Sequence, residues 1–84
     1  AETHDKMEYE EFVRLLRKAL EQLPSTQRRV IELTRLRELS NKEAAQVLEL
    51  SEQTVKNQLS VGLKALRREL SRLAVPLWLL FFIN

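Results

Sequence analysis

Residues 40–61, SNKEAAQVLELSEQTVKNQLSV, constrain the fold of this chain more than any other stretch. Two short-range signals sit eleven residues apart in it. Ser40 followed by Glu43 forms a capping box, in which the hydroxyl accepts from the Glu43 amide and the carboxylate reaches back to the Ser40 amide. Ser51 followed by Glu52 repeats the start signal, with a carboxylate in the first turn where the helix dipole favours it. Between them, Ala44, Ala45, Val47 and Leu48 supply a short helix with small residues where a second helix must cross closely. The turn runs through Glu49 and Leu50. In the helix after it, Val55 and Leu59 point to a core, leaving Gln53, Lys56, Asn57, Ser60 and Lys64 along an outward face. The pattern is a helix-turn-helix. The outward side chains are hydrogen-bonding and cationic, the types that read base edges and grip phosphates in DNA.

The rest of the chain fits an all-α domain around that motif. Eighty-four residues make one small domain with a single core. One Gly and two Pro leave too few turn residues for hairpins and sheets. Apolar residues recur at three- and four-residue spacing over 6–22, at Tyr9, Phe12, Val13, Leu16, Ala19, Leu20 and on to Leu23, which predicts a first helix stopped by Pro24. Ser25 or Thr26 is expected to cap a second helix burying Val30, Ile31, Leu33 and Thr34, with Leu36 and Leu39 continuing its stripe. The helix-turn-helix supplies the third and fourth helices. The fourth, about 52–73, has an inward seam of Val55, Leu59, Gly62 or Leu63, Leu66, Leu70 and Leu73 and ends before Pro76.

The division expected is therefore a linker remnant or disordered lead at 1–5, a four-helix domain at 6–73, and an apolar C-terminal tail at 74–84. The polar start at Ala1 suggests an excised piece of a longer protein, and no signal peptide is visible, so a cytoplasmic origin is expected. The tail contains LWLLFFI at 77–83, seven apolar residues without a charge. That is too short for a membrane helix, which needs about 20. It calls for cover: folded back over the domain itself, against another domain of the same protein, against a regulator, or in a homodimer with a second copy.

Charge and site chemistry narrow the function. The net charge of +2 conceals an asymmetry. Residues 1–23 hold six acids and four bases, whereas residues 24–84 hold ten bases and six acids. Much of the excess lies on the fourth helix, at Lys56, Lys64, Arg67, Arg68 and Arg72, opposed by Glu69, which is the footprint expected of phosphate contact. There is no cysteine and only His4 among the histidines, so thiolate and histidine metal sites are excluded. No cofactor motif, nucleophile–base pair or phosphate loop is present, and the chain is not read as an enzyme. In the reading that results, Gln53, Asn57, Ser60 and Val61 face base edges with Gln58 at the flank. Arg28, Lys42, Lys56, Lys64 and Arg67 face phosphates.

Leu23-Pro24, Gln27-Arg28, LSNKEAAQVLELSEQTVKNQL and ALRREL together resemble the C-terminal DNA-binding region, the fourth conserved region, of bacterial sigma factors, above all the extracytoplasmic-function group. The likeness covers about residues 8–72. It implies four helices, recognition of the −35 promoter element in double-stranded DNA, docking on the β-subunit flap of RNA polymerase, and control by an anti-sigma factor. It also implies that a region for the other promoter element precedes Ala1 in the full protein. The alternative is the DNA-binding output domain of a LuxR-type response regulator, which shares the SNKEAAQVLELSEQTVKNQ pattern. The opening of the second helix with Leu-Pro followed by Gln-Arg, the long continuation through ALRREL, and the amphipathic helix before Pro24 favour the sigma factor. Two features depart from the sigma pattern: Glu49 stands at a turn position often held by glycine, and Gln58, Ser60 and Val61 stand where relatives often carry arginine or a bulkier residue. Without arginine, adenine-reading amides and a thymine-methyl contact from Val61 are the expected chemistry.

Overall fold

The computed structural model describes residues 8–73 and 75 of the 84. Four α-helices account for most of them: α1 (Tyr9–Glu21), α2 (Ser25–Ile31), α3 (Asn41–Leu48) and α4 (Glu52–Arg72). A π-helical turn (Glu32–Leu36) continues directly from α2, and there is no strand among the described residues. The all-α, four-helix reading holds. The apolar run at 77–83 and the lead at 1–5 lie outside the described residues.

Helix α4 is the axis of the fold, with α1, α2 and α3 all packed against it. Its inward seam is buried as the spacing predicts, through Val55, Leu59, Gly62, Leu63, Leu66 and Leu70, with Leu73 half-buried. Opposite it lie Leu15, Ala19 and Leu20 of α1, Val30 and Ile31 of α2, Leu33 of the π turn, and Ala44 and Ala45 of α3. Ile31, Leu66, Leu70, Val30 and Val55 are essentially sealed from solvent. Each such side chain contributes about 1.5–3 kcal/mol by leaving water. Where α2 meets α4, Gly62 is the reason they approach closely: a Cβ there would sit 3.1 Å from Ile31 Cδ1 and 3.2 Å from Gln27 Cβ.

Helix α2 starts and ends differently from expectation. Neither Ser25 nor Thr26 caps it. Pro24 holds the cap position at φ −56 and ψ 149, and no side chain completes it. The Pro24 carbonyl accepts from the Arg28 amide at 3.0 Å, so the helical bonding begins one residue sooner than a Ser25 cap allows. Proline has no amide to satisfy and its φ is already near the helical value. At the other end, the buried Thr34 hydroxyl donates to the Val30 carbonyl at 2.7 Å. The Arg37 amide then reaches five residues back to the Glu32 carbonyl at 2.9 Å, the widened spacing of a π turn. Glu38, at φ 62, reverses the chain, and the Leu39 amide closes on the Leu33 carbonyl at 2.9 Å.

Three further expectations about the apolar stripes change. Tyr9 is 80% exposed in the opening turn of α1, whereas Leu15, left out of the expected stripe, is buried. Leu36 and Val47 are 51% and 53% exposed. Periodicity gives the direction of a stripe, but the partner helices decide how much of it is covered. Helix α3 buries only Ala44 and Ala45, with Leu48 half-buried, because its small residues bring it flat onto α4 and turn Val47 outward. The fourth helix ends at Arg72, short of Pro76, and the Val75 amide donates back to the Leu70 carbonyl at 3.0 Å with Val75 itself buried.

Candidate nucleic-acid interface

The helix-turn-helix is built by the local signals read from residues 40–61. The Ser40 hydroxyl accepts from the Glu43 amide at 3.0 Å, and the Ser40 amide donates to Glu43 Oε1 at 2.8 Å, so both halves of the capping box are made. Helix α3 stops at Glu49, which adopts the left-handed conformation at φ 58 and ψ 44. The amides of Glu49 and Leu50 both return to the Ala45 carbonyl, the latter at 3.0 Å. That pair of bonds satisfies the end of α3 and aims the chain at α4. The price is the Cβ of Glu49, which strains a left-handed backbone by about 1–2 kcal/mol. The Ser51 hydroxyl then accepts from the Thr54 amide at 3.0 Å and donates to Thr54 Oγ1 at 2.8 Å, fixing the first turn of α4.

The face of α4 turned away from the core begins in that first turn. Gln53, Asn57, Ser60, Val61 and Lys64 are all exposed, at spacings of three and four residues that place them on one side of the helix. Lys56 is exposed at its edge. Gln53 Nε2 donates to Asn57 Oδ1 at 3.1 Å, so two of the expected base readers touch each other. Val61, at 51% exposed, is an apolar side chain held in solvent by the helix. Gln58 is half-buried beside this face, in keeping with a flanking place.

The expected phosphate contacts are less unified. Lys42, in the first turn of α3, is exposed, as are Lys56 and Lys64. Arg67 is half-buried. Arg28 is also half-buried and lines a different feature, an open groove of about 770 Å³ between α1 and the π turn that follows α2. That groove has an apolar floor of Val13, Leu16, Leu20, Leu33 and Leu36 and a charged rim that includes Arg17, Arg28, Glu32 and Arg37. At the far end of α4, Arg72 is paired with Glu69 at 3.1 Å, which neutralises that end of the basic stripe. Arg68, exposed and one turn beyond Lys64, extends the outward face; it belonged to the expected basic stripe but was not assigned a phosphate of its own. Its spacing of four from Lys64 was the available signal.

Two distinct surfaces follow: a polar, hydrogen-bonding helix face with lysines on it, and an apolar groove on the α1–α2 side. A family model for Sigma-70, region 4, matches residues 14–66, more than half of the chain and the whole of the helix-turn-helix. The chain belongs to that family. Region 4 is the part of sigma-70 factors that recognises the −35 promoter element and binds the RNA polymerase core, and it is a DNA-binding rather than an enzymatic family. Among individually curated proteins, none matches this region 4 domain. The match gives no support to a response-regulator output domain. Among the described residues, no helix of this region 4 domain is long and apolar enough to cross a membrane.

Proposed function

We propose that this region 4 domain reads the −35 element of promoter DNA with the outward face of α4, as part of a sigma factor of the extracytoplasmic-function kind. The observation that carries the reading is the single exposed face formed by Gln53, Asn57, Ser60, Val61 and Lys64, presented from the capped first turn of α4. A recognition helix enters the major groove by its N-terminal turns, and these are the turns that carry the amides. In this reading Gln53, Asn57, Ser60 and Val61 meet base edges, with Gln58 at the flank. Lys42, Lys56 and Lys64 meet phosphates, joined by Arg67 where its half-buried guanidinium reaches the backbone. Arg28, on α2, lines the groove beside α1.

The test is binding of the full chain to a randomised duplex pool over a salt series. Removing Lys56 weakens every sequence alike and reduces the salt slope by about one. Removing Asn57 alters preference at one position, at a cost of about 1–3 kcal/mol for the preferred base. Equal effects of Asn57→Ala on all sequences reject its role as a reader.

A protein-docking role on the second surface is favoured by the groove between α1 and the π turn. An apolar floor with charges of both signs on the rim suits an amphipathic helix, and the polymerase β-subunit flap is the partner this reading assigns to it. Replacing Leu36, which is half-exposed at the groove, with Glu then weakens polymerase binding and leaves duplex preference unchanged. Loss of both together would place the two functions on one surface. Nothing among the described residues supports an anti-sigma factor or a homodimer, the latter having rested on residues 77–83.

A further inference from the structure

The bond between Gln53 and Asn57 bears on how the helix face selects a base. We infer that Gln53 is a positioning residue that orients the Asn57 amide for adenine, so that the two side chains recognise one base pair as a unit. The inference rests on the base-reading role proposed for α4.

An asparagine amide presents an acceptor on one edge and two donors on the other, and rotation by half a turn exchanges them. Adenine in the major groove offers a donor at N6 and an acceptor at N7, so an asparagine reads it bidentately only with Oδ1 toward N6 and Nδ2 toward N7. In this chain Gln53 Nε2 donates to Asn57 Oδ1 at 3.1 Å. The bond uses one of the two lone pairs on Oδ1 and leaves the second for adenine N6. Turning the Asn57 amide over would set Nδ2 against Gln53 Nε2, donor facing donor. The Gln53 amide would then have to turn as well, so the bond couples the two orientations and holds the Asn57 side chain in place before DNA arrives, which lowers the ordering cost of the contact. The pair lies at i and i+4 on one exposed side of α4, and neither side chain belongs to the core. A change at Gln53 can thus be made without disturbing the fold.

The test is selection from a randomised duplex pool by the full chain and by three variants, Asn57→Ala, Gln53→Met and Gln53→Glu, with helix content checked by circular dichroism. The wild-type chain selects adenine at one position, and Asn57→Ala abolishes that preference. Gln53→Met, which keeps length but cannot donate, lowers it about tenfold at the same position. Gln53→Glu can only accept, so it draws Nδ2 toward itself, reverses the order of donor and acceptor offered to the base, and weakens the selection of adenine at that position. If Asn57→Ala abolishes the preference while Gln53→Met keeps it in full, the positioning role is overturned and the base-reading role stands. If Asn57→Ala leaves the wild-type preference intact, or the Asn57-dependent base is not adenine, both the adenine assignment and the positioning role fail.

Discussion

The two short helices packed against α4 are made in opposite ways. Helix α3 is defined by its ends: a complete capping box at Ser40 and Glu43, and a left-handed stop at Glu49 with two amides closing on Ala45. It buries little more than Ala44 and Ala45. Helix α2 has no side-chain cap, opens on Pro24, and runs into a π turn, but it buries Val30 and Ile31 and leads to the buried Leu33 and Thr34. One helix is held by local hydrogen bonds and the other by tertiary packing. The difference suits their places. The helix that must cross flat on the recognition helix has small residues and needs its own terminators, whereas α2 anchors α4 through the close approach at Gly62.

The largest effect that would break this comparison comes from the packed helix. Ile31→Ala removes a sealed side chain at the α2–α4 contact, and unfolding in denaturant is expected to show a loss of about 2–5 kcal/mol. A loss below about 1 kcal/mol would mean that α2 is not held by packing. The next effect concerns the starts of the helices. Ser40→Ala removes a made cap and is expected to cost about 1 kcal/mol, while Ser25→Ala, which removes no cap bond, stays within about 0.5 kcal/mol. Equal shifts in the two denaturation midpoints would erase the distinction between locally and tertiarily specified helices. The smallest effect sharpens the account of the turn. Glu49→Gly relieves the left-handed strain but frees the unfolded chain, and a net gain of at most about 1 kcal/mol is expected in thermal melts. A loss of stability there would show that the Glu49 side chain contributes something beyond occupying the turn.

The same contrast explains what was readable without the fold. Both caps of the helix-turn-helix and the seam of α4 were legible because their causes lie within a few residues of one another. The absence of a side-chain cap at Ser25, the exposure of Tyr9, Leu36 and Val47, and the burial of Leu15 were not, because each depends on which surfaces neighbouring helices cover. Within the candidate site, the outward placement of Gln53, Asn57, Ser60, Val61 and Lys64 followed from helical spacing alone. The place of Arg28 did not: being cationic and near the motif says nothing of which side of α2 it occupies, and it lines the groove between α1 and the π turn.

By itself the sequence determined that this chain is helical, where its helix-turn-helix begins and turns, and which side chains α4 presents to solvent. These follow from hydrogen bonds and periodicities that act over three to six residues. Only the tertiary structure decided the groove between α1 and the π turn and the glycine contact that brings α2 and α4 together. Those features arise from side chains far apart in sequence competing for the same space.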